Sequence, residues 1–288
     1  LIPIESNDGL GPVPQATLTM KTRLSFFSVA LVAAFANLAH AEWKHSVEID
    51  GRPADGQLIV EGLSARISVR GVDGSTVSIR APGLEVPDAP RARPREEGMR
   101  SLLNTGVDNS GIGLEVSVDK ADVRVVSVRP PRHGEVFEFE IPREMSLRVQ
   151  SVVHGGVDVE GVEGEMAIVV TEGDIRIDGA CAPLVVHSVN GKVDVRFSAF
   201  PAEQGGSING VDGLVSVALP PEAKVDLELR TINGDIVTDL PLEVKSRNVS
   251  QWGGPRSVRA TLNGGGGKLV INSINDDVVV RALTAAPE

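Results

Sequence analysis

Apolar and polar residues alternate with a period of two through most of this chain. The runs 135–141, 193–197 and 225–230 each carry Val, Leu, Ile or Phe at every second position. Successive side chains of a strand point to opposite faces, so these runs predict strands with one buried face. Turn signals punctuate them at Asp178-Gly179, Phe200-Pro201, Pro220-Pro221 and Asp239-Leu240-Pro241. Helical periodicity is scarce, and the expected fold class is all-β. Two stretches depart from the pattern. Residues 83–111 hold Pro87, Pro90 and Pro94 beside a charged cluster, and read as a loop with one helical turn near 96–103. Residues 246–257, around Trp252-Gly253-Gly254-Pro255, read as a second loop.

A short phrase recurs within the alternation: a small apolar residue, Asn or a substitute, Gly, a polar residue, then alternating β-branched residues. Copies begin at Val153, Thr171, Val189, Ile232 and Ile274, with a looser one at Ile208-Asn209-Gly210 and a worn one over 62–69. A phrase returning about every 20 residues implies one supersecondary unit stacked on itself. The expectation is a right-handed parallel β-helix, or β-solenoid, in which each corner Gly supplies a left-handed backbone and Asn tolerates it. Matched Val, Ile and Leu side chains would then pile up in a narrow interior. His154 stands in the Asn place for the same conformational reason. The step from Asn233 to Asn275 is about double, as if one coil had lost its signature. Asn-Gly between alternating runs is also a strong hairpin signal, so an antiparallel β-sandwich is the alternative.

Taken in order, the strings VNGKV (189–193), INGDIVTDL (232–240), GGGGKLVINSIND (264–276) and VHGGVDVEGVEGEM (153–166) resemble the bacterial DUF4097 family of adhesin-like proteins. That family is related to auto-transporter adhesin head domains. The resemblance covers roughly residues 57–283. It implies a right-handed β-helix with an export signal and no established catalytic residues. The chain departs from the family pattern at Asn275-Asp276-Asp277, where Asp replaces the corner Gly.

The N-terminus adds export to the picture. Met20-Lys21-Thr22-Arg23, an apolar stretch over 24–36 and Ala39-His40-Ala41 form the charged start, core and cleavage site of a signal peptide over 20–41. Residues 1–19 read as an upstream extension outside the fold, and 42–288 as a single domain. The segment 1–41 carries Lys21 and Arg23 against Glu5 and Asp8, so its removal leaves the net charge at −11. An acidic surface argues against nucleic acid and anionic lipid as partners. No other apolar run reaches membrane length. The expected location is the periplasm or the cell surface, with an envelope protein or a surface glycan as partner.

Candidate chemistry is sparse. His45, His133, His154 and His187 accompany no G-x-S-x-G elbow, and neighbours His187 and Ser188 would point to opposite faces. Cys181 is alone and can form no internal disulfide. The column after the corner Gly holds Gly156, Asp174, Lys192, Asp235 and Asp277, which reads as a solvated ladder. Calcium at Asp174 or at Asp276-Asp277 is the metal alternative. Arg176, Lys192 and Arg196 could share an outward face as in a carbohydrate lyase, but a solvated polar face explains them more simply. The tetrad 264–267 reads as a tight corner. No catalytic, cofactor or metal residues are therefore assigned. The expected function is a non-enzymatic adhesin-like interaction or scaffold module, with an envelope carbohydrate-active enzyme or glycan-binding module as the alternative. Gly191→Val and Gly234→Val are each expected to cost about 1–3 kcal/mol through corner strain, and Asp174→Ala less than about 0.5 kcal/mol.

Overall fold

A computed structural model describes residues 42–84, 107–128, 134–151, 154–249 and 254–284. The signal-peptide segment, the upstream extension, most of the first expected loop, His133 and Trp252 lie outside the described residues. The chain is all-β, in two large open mixed sheets. In spatial order the first sheet holds β1 (Glu42–Glu48), β4 (Thr76–Pro82), β7 (Val136–Pro142), β3 (Arg66–Val72) and β9 (Val157–Glu160), then β11 (Ile175–Ala180), β13 (Val193–Phe197), β15 (Val215–Leu219), β21 (Val278–Ala282) and β17 (Ile236–Thr238). The second holds β18 (Glu243–Asn248), β19 (Arg256–Leu262), β16 (Val225–Thr231), β20 (Gly267–Asn272) and β14 (Gln204–Asp212), then β12 (Leu184–Asn190), β10 (Met166–Glu172), β8 (Ser146–Ser151), β2 (Gln57–Glu61), β6 (Asp122–Ser127) and β5 (Leu114–Asp119).

The two sheets share one hydrophobic cluster, as in a sandwich. The Asn-Gly corners, however, do not turn back into hairpins. Asn190-Gly191 carries the chain from β12 in one sheet to β13 in the other, and the next pass lies parallel beside the last. Parallel pairing in register sets like upon like. Ile67, Val157, Ile175, Val193, Val215 and Val278 form one inward column of the first sheet. Leu147, Met166 and Leu184 begin one in the second, and Val149, Ile168, Val186, Ile208 and Ile271 form another. Nearly all are fully buried. β-Branched side chains suit this packing because their restricted rotamers fit a pleated surface. Truncating one of them to Ala costs about 2–5 kcal/mol.

The doubled step between Asn233 and Asn275 has a topological cause. β20 and β21 return to lie between β14 and β16 and between β15 and β17, so the last pass sits between the two before it. The intervening chain forms the antiparallel pair β18–β19. The expected loop over 246–257 is therefore partly strand: residues 246–248 belong to β18 and 256–257 to β19. The N-terminal end behaves alike, with β7 inserted between β3 and β4. One expected corner is misplaced. Asn209-Gly210 lies within β14, and the chain turns at Asp212-Gly213 instead.

Candidate functional site: the corners and the two outer faces

The corner glycines stack on one another. A Cβ on Gly173 would lie 2.1 Å from the Gly155 carbonyl oxygen, one on Gly191 2.2 Å from that of Gly173, and one on Gly213 2.2 Å from that of Gly191. Gly173, Gly191 and Gly213 also have φ of 133, 145 and 129°. Gly234 needs no such backbone; its demand is the Asp276 carbonyl oxygen, 2.1 Å from a Cβ. The Asn residues act by bonding rather than by left-handed backbone. Asn233 donates to Asn275 Oδ1 at 2.8 Å, and Asn275 donates to Asp212. His154 does adopt the left-handed backbone, with φ of 53°, and its Nδ1 lies 2.5 Å from Glu172 Oε2.

The acids after the corners cap backbone. The Lys192 N–H donates to Asp174 Oδ1 at 2.8 Å, Asp235 N–H to Asp277 Oδ1 at 2.7 Å and Gly213 N–H to Asp276 Oδ2 at 2.7 Å. Asp174 is thus more than a solvated surface acid. Among the described residues no three His, Cys, Asp or Glu side chains cluster to hold a metal ion. Ser188 is buried while His187 faces outward on the same strand, so the two do not meet. Burial pushes the Cys181 thiol above its ordinary range, and its Sγ lies 3.8 Å from the Glu163 carbonyl. Among the described residues no helix is long and apolar enough to cross a membrane.

The outer face of the first sheet is a field of matched charges. Arg66 meets Asp158 at 3.0 Å, Arg70 meets Glu160 at 3.1 Å, and Arg80 meets Glu140 at 2.6 Å and Glu138 at 3.4 Å. Arg176 and Arg196 do share this face, but both lie beside Asp178, at 4.0 and 3.7 Å. Lys192 stands apart at the corner. Exposed pairs of this kind each contribute about 0–1 kcal/mol.

The middle of the second sheet's outer face is different. One row across the strands reads Ala167, Val185, Ser207 and Val270; the next reads Gln150, Val169, His187, Asn209 and Asn272. None is a carboxylate or a permanent cation. Val185 is 50% exposed and Val169 38%, and Asn272 donates to Asn209 at 2.8 Å. At one side the rows run on into Arg148 of β8 and Glu61 of β2. At the other they end at Glu228 and Arg230 of β16. Glu228 faces outward yet is only 8% exposed, because three cations lie over it. Lys268 Nζ donates to its Oε2 at 2.9 Å, Arg259 Nη2 to Oε1 at 3.4 Å, and Arg230 also donates to Oε1. The Lys268 hydrogen bond, joined by the charges of Arg230, Lys268 and Arg259 and opposed by burial, holds the carboxyl down at about 2. Sequence reasoning misses this cluster, since Leu227-Glu228-Leu229 reads as one more outward polar position.

No family model matches the chain, and neither does any curated protein, so the resemblance to the DUF4097 family rests on the motifs. The chain is similar to several solved structures. One is a proposed cell adhesion protein from Clostridium sporogenes, at 10% identity over 84% of this chain and 100% of the other, with a TM-score of 0.44. A proposed adhesin from Bacteroides fragilis shares 8% identity over 84% and 97%, with a TM-score of 0.30. A proposed lipid binding protein from Parabacteroides distasonis shares 9% over 85% and 98%, with a TM-score of 0.23. Likeness at this level carries neither ligand nor activity across.

Proposed function

We propose that this protein is an exported, non-enzymatic cell-envelope module, built as a right-handed parallel β-solenoid, that binds a surface glycan on the outer face of its second sheet. The solenoid reading is supported by the Gly155, Gly173, Gly191 and Gly213 corners, each against the one before it, and by parallel register on both sides of them. The observation that carries the binding reading is the contrast between the faces. One is closed by its own ion pairs. The other presents an uncharged strip of exposed valines and of amide and imidazole groups across β8, β10, β12, β14 and β20. Parallel strands lie about 4.8 Å apart, so hydrogen-bonding groups recur in steps close to the length of one sugar ring. A non-enzymatic role fits the pairing of Arg176 and Arg196 with Asp178.

A glycan array followed by product analysis tests this reading. Binding without release of shortened sugar is expected. Val185→Glu, which sets a charge in the middle of the strip, should abolish binding with an unchanged melting temperature. Asp178→Asn, on the opposite face, should leave binding intact. Release of oligosaccharide, or loss of binding from the Asp178 change alone, would overturn it.

A further inference from the structure

We infer that Lys268, Arg230 and Arg259 form the seat for acidic groups of an anionic glycan, a chain containing uronate sugars. The inference rests on the strip being a glycan platform and names the chemical class it takes. The first argument is charge. On the first sheet the arginines are matched by carboxylates, whereas here three cations share Glu228. Asp226 lies opposite Lys268 in register, and counting it still leaves one positive charge in surplus. Glu243 and Lys245, on the neighbouring β18, pair with each other. This surplus stands on a chain of net charge −11.

The second argument is geometry. Glu228 holds three like charges together that would otherwise repel, and so positions them for a further anion. Both guanidinium groups reach Glu228 through Nη2. Their side chains are 53% and 65% exposed, so the rest of each planar fork is open to a carboxylate from solvent. The third argument is continuity. Arg230, Asn272, Asn209 and His187 follow one another in register on adjacent strands. A chain whose acid sits on the cluster can lay its hydroxyls along the amide row. An acidic peptide fits less well. An extended peptide that adds as a strand needs a free sheet edge, and β16 is already paired on both sides, by β19 and β20.

The test uses the full chain with polygalacturonate and alginate, and with fully methyl-esterified polygalacturonate as the uncharged counterpart. Calorimetry at low and physiological salt is expected to show the acidic polymers bound at least tenfold more tightly than the ester. That advantage should shrink with salt, as screening requires. The double change Arg259→Gln with Lys268→Gln should remove it and leave ester binding unchanged. If the double variant loses its fold by circular dichroism, each single change should lower acid binding about threefold. Equal binding of acid and ester, or unaltered acid binding by folded variants, would overturn the inference and leave the glycan platform standing. Poly-L-glutamate competing as well as polygalacturonate would assign the seat to acidic peptides instead. Failure of every polymer to bind, the ester included, would remove the platform itself.

Discussion

Three glycine-to-alanine changes separate the two demands that the corners place on their residues. Gly74 has φ of 132° and nothing within 4 Å of an added Cβ, so Gly74→Ala isolates backbone strain, about 1–3 kcal/mol. Gly234 has no positive φ but would set its methyl 2.1 Å from the Asp276 carbonyl oxygen. Relieving that contact means parting two neighbouring passes, an overpacking cost of about 1–3 kcal/mol. Gly191 carries both burdens, with φ of 145° and the Gly173 oxygen at 2.2 Å. The Gly191 N–H bond to Asp212 O and the Gly173 N–H bond to Asn190 O, both 2.8 Å, lie on either side of that contact. Weakening one of them adds about 0.5–1.5 kcal/mol. Gly191→Ala is therefore expected to cost about 5 kcal/mol, roughly 1 kcal/mol above the sum of the other two changes. Urea unfolding followed by far-ultraviolet circular dichroism measures this through the midpoint, with an unchanged m value as the condition for comparison. A Gly191→Ala cost within about 0.5 kcal/mol of the Gly74→Ala cost would show that carbonyl stacking does not constrain the corner.

Single contacts yield the remaining predictions. Glu228 titrates well below its ordinary value of 4.5, at about 2, so its contribution to stability is complete above pH 4.5 and is lost as pH falls from there toward 2. Urea midpoints across that range should show an acid limb that Glu228→Gln flattens; an unaltered limb would refute the assignment. Asp174→Ala removes the acceptor of the Lys192 N–H and should cost about 0.5–1.5 kcal/mol by the same unfolding measurement. Added chelator should leave the melting temperature of the parent unchanged, and a large fall would point to calcium at these acids. Asn109 closes the open edge of β5, accepting from the Val116 N–H at 2.9 Å and donating to its carbonyl at 2.7 Å. Asn109→Ala should cost about 1 kcal/mol and raise self-association in light scattering, because it bares an edge.

Much of the architecture is legible in the residues. The period-two alternation marks the strands, and the phrases at 171–177 and 189–195 lie 18 residues apart and occupy equivalent places in the structure. His154 holds the left-handed backbone expected of it. The phrase misleads where one element can pass for another. Asn209-Gly210 carries the corner dipeptide in mid-strand, and the working corner at Asp212-Gly213 lacks Asn. Nothing local distinguishes the two, because the choice depends on which glycine meets the Gly191 carbonyl. The doubled step to Asn275 reads as a lost coil for a similar reason. Its cause is a pass inserted between earlier ones, which sequence order cannot display.

The residues by themselves determined that the chain is all-β, where its corners fall most often, and that its matched aliphatics can stack, since each follows from spacing along the chain and local backbone preference. The tertiary structure alone decided which face is sealed by ion pairs and which carries an uncharged strip, and that Lys268, Arg230 and Arg259 meet over Glu228 beside that strip. Those three cations come from three strands that are neighbours only after β20 has slipped between β14 and β16. Charge recognition depends on distance in space, and that distance exists only once the passes are laid side by side.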